Sequence, residues 1–244
     1  MEFLQKLCAK HNDKYGKPPV TIAFLGDSVT QGCFEVYETG GGGLDTVYEP
    51  ENNYASKTAS ILRQLCPGAQ LNVIAAGISG DSAPNGNNRR DRDVLPYKPD
   101  LTVVCYGLIE SGGGLNGIDR YTTALESIFT RLREAGSEVI FMTPNTMNWN
   151  TSCQISSELF RRLAVQFAKV MEDGILDAYI DAAKATAEKC GVPVVDCYSK
   201  WKAMEAAGIN TTELLSNKLN HPTRDMHWLF AWMLVQQIIG EDQR

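Results

Sequence analysis

Apolar residues gather into five short runs that are rich in β-branched side chains, and segments with helical spacing lie between them. Short apolar runs bounded by glycine, proline and polar residues are typical of buried strands. They predict strands at 20–25, 71–75, 101–106, 138–142 and 192–196, and helices at 53–66, 119–135, 157–190 and 224–239. Asp173-Gly174 interrupts the apolar spacing of the third helical segment, which predicts two helices there.

The alternation of strands and helices predicts an α/β fold with a five-stranded parallel sheet, covered on both faces by right-handed crossovers. No tract rich in proline, serine or glycine divides the chain, and it contains no internal repeat. A length of 244 residues is sufficient for one domain with a substantial core. We therefore expect residues 1–244 to form a single domain.

Long irregular segments follow the carboxyl ends of four predicted strands, at 32–52, 77–99, 107–118 and 144–156. In an open α/β sheet these ends share one rim, where ligands bind. Gly40-Gly41-Gly42-Gly43 lies in the first segment, but it does not open a helix and lacks the Lys-Ser/Thr of a phosphate-binding loop. We interpret the tetraglycine as a flexible surface loop.

The charge distribution argues against two classes of partner. The formal net charge is −6, and no run of Lys or Arg could track a phosphate backbone, so we expect no nucleic-acid partner. The short Arg89-Arg90-Asp91-Arg92 cluster is interpreted as a solvated helix face. No apolar stretch approaches the ~20 residues of a membrane span, and the first residues indicate a short amphipathic helix rather than a signal peptide. We therefore expect no membrane partner.

Seven cysteines are scattered along the chain without a Cys-x-x-Cys pair. An odd number at irregular spacing is typical of reduced thiols rather than of a disulfide framework or a zinc site. The sequence thus predicts a cytoplasmic protein that uses no metal and no cofactor.

The first predicted strand ends abruptly in Gly26-Asp27-Ser28. A serine hydroxyl at the carboxyl end of a buried strand is a candidate nucleophile, provided that a base lies within reach. The chain contains three histidines. His11 lies among charged residues of the N-terminal helix, and His227 lies inside a predicted helix, where imidazoles often only satisfy local hydrogen bonds. His221 is favoured as the base because it lies in a turn-rich segment where Pro222 can begin a helix.

Gly26-Asp27-Ser28 and the later His221-Pro222 resemble the first and last blocks of the SGNH (GDSL) hydrolase family. Residues 76–82, which follow the second predicted strand, resemble the family's second block. The resemblance implies a flavodoxin-like three-layer α/β/α sandwich in which Ser28 is the nucleophile and His221 the base. It also implies an oxyanion hole that uses the backbone N–H groups of Ser28 and Gly80.

The chain departs from the family pattern in two places. No acid lies shortly before His221, because Lys218 and Asn217 occupy the equivalent positions. Asn217, or a backbone carbonyl, could orient the imidazole without supplying charge, and Asp225 is better explained as a first-turn helix acid. We expect a Ser-His dyad with Asn217 as the candidate orienting residue.

The second departure lies in the family's third block, whose Asn supplies a third oxyanion donor. Ile109 occupies that position in Gly107-Leu108-Ile109-Glu110, and loss of one such donor costs about 2.7–4 kcal/mol in a serine hydrolase. Three explanations are open. Asn116 or Asn145 replaces the donor, the activity is weak, or the chain is a variant of a parent with Asn at this position.

The loop after the fourth predicted strand carries three amides and an indole, a combination that suits sugars. We assign Asp27, Asn145 and Trp149 to substrate binding. The sequence therefore predicts a serine esterase for short acyl esters, above all O-acetyl groups on carbohydrate. The alternatives are a thioesterase or lysophospholipase of the same fold, and a weakened member that binds an acyl or glycan ligand without turnover. A flavin or nucleotide binder that uses the loop at 26–32 is the least favoured hypothesis.

Overall fold

The computed structural model describes residues 1–240 and contains a five-stranded parallel sheet and a separate hairpin. The strands are β1 (Val20–Gly26), β2 (Cys33–Glu38), β3 (Leu44–Tyr48), β4 (Leu71–Gly77), β5 (Leu101–Cys105), β6 (Glu138–Met142) and β7 (Val194–Val195). The sheet order is β4-β1-β5-β6-β7, and β2 pairs antiparallel with β3. This is the doubly wound, flavodoxin-like order. The chain adds β4 on one side of β1 and then β5, β6 and β7 on the other, so the strand order reverses between β1 and β5.

Helices cover both faces of the sheet. They are α1 (Glu2–Asn12), α2 (Ser28–Gln31), α3 (Tyr54–Leu65), α4 (Ala83–Asp93), α5 (Leu108–Ser111), α6 (Ile118–Glu134), α7 (Glu158–Glu172), α8 (Ile175–Lys189), α9 (Cys197–Ala206) and α10 (His227–Ile239). Because side chains alternate along a strand, Ile22 and Phe24 of β1 join a core with α1, α3 and α10, whereas Ala23 and Leu25 join a core with α6 on the opposite face. The predicted three-layer α/β/α sandwich is confirmed.

The predicted break in the long helical segment is also confirmed. Helix α7 ends at Glu172 and α8 begins at Ile175. Gly174 between them has φ +68°, in the left-handed region where glycine is favoured. The expectation that residues 1–244 form one domain stays a prediction.

Several elements were not anticipated, among them a hairpin and two helices of ten or more residues. The segment at 32–52 contains the β2–β3 hairpin, with the tetraglycine at its tip, and α4 lies inside the supposed loop at 77–99. Helix α4 buries only Ala83, Gly86 and Arg89, so its sequence has no apolar period to detect. Helix α9 begins directly after β7, capped by the Asp196 side chain, which accepts from Ser199 N. Within residues 1–240 no helix is both long and apolar enough to cross a membrane.

Candidate active site

Ser28 lies at the carboxyl edge of the sheet, beside the point where the strand order reverses. Strand β1 ends at Gly26, and Asp27 caps α2 through its Oδ1, which accepts from Val29 N at 2.9 Å. A Cβ on Gly26 would lie 2.7 Å from the carbonyl oxygen of Cys105, so this position has room for glycine only. The tight strand-to-helix turn places Ser28 at the first position of α2, where its backbone N–H has no intrahelical acceptor.

His221 lies 193 residues after Ser28 in the sequence, and the fold brings the two side chains into contact. The distance from His221 Nε2 to Ser28 Oγ is 2.9 Å, and that from His221 Nδ1 to the carbonyl oxygen of Phe34 is 2.8 Å. A carbonyl oxygen can only accept, so Nδ1 carries the proton and Nε2 is the bare nitrogen that accepts from the serine hydroxyl. The imidazole is thus held in the tautomer that a general base requires.

Asn217 supports the histidine through the backbone and does not touch the ring. Its Oδ1 accepts from the N–H groups of Leu219, Asn220 and His221, at 3.0, 2.9 and 2.9 Å. The ring is oriented by the Phe34 carbonyl on β2, which was the other option left open by the sequence. Asn217 is therefore a determinant of loop conformation, which corrects its assignment as the residue that orients the imidazole.

Arg224 joins the loop of His221 to the hairpin that supplies this carbonyl. Its guanidinium donates to Glu35 Oε1 at 2.7 Å and to Glu49 Oε1 at 2.6 Å, and it lies 4.4 Å from the centre of the Phe34 ring. These contacts fix β2 and β3 against the turn that carries the base. The sequence indicated no role for Glu35 or Arg224, because neither belongs to a recognisable block.

The imidazole of His221 is buried away from solvent. Burial lowers the pKa of His221 to about 4, although the Phe34 carbonyl and the charge of Glu35 act in the opposite direction. His227 is also buried, which lowers its pKa to about 3, but its Nδ1 accepts from Tyr54 N at the start of α3. His227 therefore has a structural role, and the preference for His221 agrees with the geometry.

We expect an unusually acid-tolerant pH profile. The base is active only when neutral, and its lowered pKa keeps it neutral as the pH falls through 6.5. The acidic limb of kcat/KM, which reports the free enzyme, should therefore lie near pH 4 instead of near the ordinary value for histidine. Steady-state rates between pH 3.5 and 8 in buffers of constant ionic strength test this, with a prior incubation at each pH as a control for unfolding. An acidic limb at pH 6–7 would contradict it.

Two buried carboxyl groups lie in the segments that follow β1 and β5. Burial raises the pKa of Asp27 to about 7 and that of Glu110 to about 6. The charges of Glu110 and Asp81 raise the pKa of Asp27 further, and the charge of Asp81 raises that of Glu110. Glu110 accepts from Ala83 N at the start of α4. Asp27 is fully buried and its Oδ1 is occupied by α2, which corrects its assignment to substrate binding.

The Ser28 and Gly80 amides form the candidate oxyanion hole. Gly80 has φ +75° within a turn closed by Asp81 N and the Ile78 carbonyl oxygen. This turn is joined to α2, because Ser79 N donates to Gln31 Oε1 at 2.6 Å. Among residues 1–240, neither the Ser28 N–H nor the Gly80 N–H has a protein acceptor. Unoccupied N–H donors are what an oxyanion hole requires.

The position expected to carry a third donor is apolar and accessible. Ile109 lies on α5 with 37% of its surface exposed, and it lines a cavity of about 260 Å³ together with Ser82, Glu110 and Tyr121. Its side chain has no group that could bind an oxyanion. Gly107, which precedes α5, has φ +144° and leads the chain sharply from β5 into this helix.

The other two substrate-binding assignments are not supported by the geometry. Asn145 is 0% exposed, and its Nδ2 donates to the carbonyl oxygens of Thr146 and Asn220, so it supports the loop before His221. It therefore cannot replace the missing oxyanion donor. Trp149 packs against the main core and its indole nitrogen is buried. The loop after β6 folds into the core, whereas the sequence pattern predicted that it would lie on the ligand-binding rim of the sheet.

A cavity of about 370 Å³ adjoins the two segments that hold His221, although neither Ser28 nor His221 is among its lining residues. One wall is formed by β2 from Glu35 onwards, next to the carbonyl that holds His221, and another includes Asn217, which holds the backbone of His221. Eight of the twelve lining residues are polar, and two carry aromatic rings. It consists of Glu35, Val36, Tyr37, Glu38, Gln154, Ile155, Ser156, Ser157, Phe160, Ser216, Asn217 and Lys218.

A buried serine hydroxyl that contacts the unprotonated nitrogen of a neutral imidazole is the catalytic pair of a serine hydrolase. Residues 24–229 match the model of the GDSL-like lipase/acylhydrolase family, and the chain belongs to that family. It is accordingly a carboxylic ester hydrolase, and the resemblance inferred from Ser28, Gly80 and His221 is confirmed at the level of the family.

Known relatives are distant in sequence and close in fold. An acetylxylan esterase of Geobacillus stearothermophilus is 22% identical over 160 residues, which are 62% of this chain and 69% of the relative. A two-domain esterase active on acetylated mannans has a TM-score of 0.66 at 18% identity, over 98% of this chain but only 54% of that one. A lipase/acylhydrolase from Enterococcus faecalis has a TM-score of 0.59 at 21% identity, over 90% and 95% of the two chains. The structural matches show a shared fold.

Proposed function

We propose that the protein is a serine esterase that removes short acyl groups, above all O-acetyl groups of carbohydrates, through an acyl-Ser28 intermediate. The observation that carries the proposal is the 2.9 Å contact between Ser28 Oγ and the unprotonated Nε2 of His221. This contact allows the hydroxyl proton to pass to the imidazole as the oxygen attacks an ester carbonyl.

Each step can be assigned to groups in the site. As Ser28 Oγ attacks, its proton moves to Nε2 and the carbonyl oxygen becomes an oxyanion between the N–H groups of Ser28 and Gly80. The imidazolium that forms is stabilised by the Phe34 carbonyl and by the charge of Glu35. It then protonates the departing alcohol, and a water molecule attacks the acyl-enzyme by the same route in reverse. No metal or cofactor is needed in this scheme.

Two observations support a carbohydrate as the alcohol. The cavity that adjoins the segments holding His221 is lined by carboxylates, hydroxyls and amides, with Tyr37 and Phe160 as aromatic surfaces, and such a lining suits a ligand rich in hydroxyl groups. The curated relative is an acetylxylan esterase, and a structural neighbour acts on acetylated mannans. A thioesterase or lysophospholipase of this fold would instead need room for a long apolar chain.

The proposed location is the cytoplasm. All seven cysteines are free, including Cys8 and Cys66, whose sulfur atoms are 3.9 Å apart without a bond. Unbonded thiols this close together are compatible with a reducing compartment.

A series of p-nitrophenyl esters from acetate to dodecanoate, assayed beside acetylated xylo- and manno-oligosaccharides, tests the substrate class. We expect kcat/KM to be highest for acetate or propionate, to fall beyond four carbons, and to be at least as high for an acetylated oligosaccharide. Ser28→Ala provides the background rate. A preference for chains of eight carbons or more would favour the thioesterase or lysophospholipase alternative. Binding of the oligosaccharide without hydrolysis would favour the weakened member.

A further inference from the structure

Arg89 is a buried arginine beneath the loops of the active site. It lies on α4 with 8% of its surface exposed, which corrects the interpretation of Arg89 as part of a solvated face, whereas Asp91 and Arg92 of the same cluster are exposed. Its Nε and Nη2 approach Asp81 Oδ2 at 2.7 and 2.6 Å. Nη2 also donates to the Gly26 carbonyl oxygen at 3.0 Å and to the Tyr106 hydroxyl at 3.1 Å, and Nη1 donates to Asp93 Oδ2 at 3.2 Å.

The partners of this guanidinium belong to the three chain segments that surround the oxyanion site. The Gly26 carbonyl lies two residues before Ser28, whose N–H is the first donor. Asp81 directly follows Gly80, whose N–H is the second. Tyr106 directly follows β5, and the segment that begins with the next residue carries the third-donor position. The Tyr106 hydroxyl also donates to Asp81 Oδ2 at 3.1 Å, which closes the network.

We propose that Arg89 is a positioning residue that fixes the Ser28 and Gly80 N–H groups at the spacing needed to bind the oxyanion. The inference rests on the proposed acyl-transfer function, because that function requires an oxyanion. Arg89 is too deeply buried to contact substrate, so it acts through the backbone of Gly26 and through Asp81.

The chemistry of the side chain explains why an arginine is required. A planar guanidinium offers five donors in a rigid fork and can satisfy acceptors on separate segments at fixed angles. A lysine in the same place would offer one compact ammonium and could not hold the same partners together. Buried ion pairs contribute little net stability relative to apolar packing, and their best-attested value is conformational specificity.

Arg89→Lys and Arg89→Met test the role, with Arg92→Met as the matched control. Arg92 lies on the same helix, but its side chain is 74% exposed, and within residues 1–240 its guanidinium forms hydrogen bonds only with Asp93. Oxyanion donors act only within a narrow distance range, and displacement by about 1 Å costs on the order of 10²-fold in rate. We expect kcat for p-nitrophenyl acetate to fall about 10²-fold in Arg89→Met and about 10-fold in Arg89→Lys, while KM stays within about twofold of its original value.

Two further measurements separate positioning from simple loss of structure. A short alkylboronic acid forms a tetrahedral adduct on Ser28, so its inhibition constant should rise in proportion to the loss of kcat/KM across the variants. In the unliganded protein, the ¹H–¹⁵N resonances of Ser28 and Gly80 should shift in both Arg89 variants and stay in place in Arg92→Met. The resonance readout requires no turnover, so it distinguishes failure of this inference from failure of the proposed esterase activity.

Tyr106→Phe is a second test of the same network, which can be used if Arg89→Met does not fold. It removes one hydroxyl from the network and keeps the buried ring, and we expect a fall in kcat of about 10-fold with KM unchanged. The inference is overturned if the folded Arg89 and Tyr106 variants keep kcat within about twofold of the unmodified protein. It is equally overturned if their boronate affinity and their Ser28 and Gly80 resonances do not change.

Discussion

His221→Ala is expected to lower kcat for p-nitrophenyl acetate by about 10⁴-fold with little change in KM. Without the imidazole, no described group lies within hydrogen-bond distance of Ser28 Oγ to take its proton. Removal of the base from a complete triad costs about 10⁶-fold, and removal of the carboxylate alone costs about 10⁴-fold. Because this enzyme already lacks the carboxylate, its histidine contributes less than the base of a complete triad, and a loss near the lower of these two values is expected.

His11→Gln is the matched control for this variant. His11 accepts a hydrogen bond from Gly68 N, far from the dyad in the fold, and the glutamine variant should keep kcat within about twofold. A His221→Ala enzyme that retains more than about a tenth of the original kcat would show that another group is the base.

Ile109→Asn is expected to raise kcat by about 10²-fold. The side chain is partly exposed at the position where the family carries an amide donor, so an asparagine can be accommodated without burying an unpaired polar group. One oxyanion donor contributes about 10²–10³-fold in serine hydrolases. Measurement of kcat with p-nitrophenyl acetate, beside the isosteric control Ile109→Leu, provides the test.

Ile109→Leu should leave kcat unchanged, since neither side chain offers a donor. A rise in both variants would point to an effect of shape at the cavity wall. An unchanged rate in the folded Ile109→Asn variant would mean that position 109 does not face the oxyanion, so that the Ser28 and Gly80 amides act without a third donor.

The sheet and the nucleophile could be predicted because their signals are local. The five apolar runs correspond to the five strands, and Gly26-Asp27-Ser28 marks the end of β1. Alternation of strand and helix limits the topology to a parallel sheet, which in turn places long loops on one rim. Loop placement was likewise sufficient to choose His221 over His227, since the helical histidine is used to hold α3.

The support around the site could not be predicted, because it depends on partners without a sequence signature. A carbonyl such as that of Phe34 exists at every residue, so nothing in the sequence singles it out to hold His221. Asn145 looks like a rim amide, yet the loop turns inward and buries it. Arg89 belongs to a charge-rich segment that indicates solvent exposure, and only the fold shows that it faces the strand ends.

The most direct test of the account is mass spectrometry of the protein after reaction with a fluorophosphonate. The 2.9 Å contact between Ser28 and His221 predicts one adduct, on the peptide that contains Ser28. It also predicts no adduct in Ser28→Ala and labelling slowed by more than about 10²-fold in His221→Ala. An adduct at another residue, or a Ser28 that reacts equally fast without His221, would contradict the dyad.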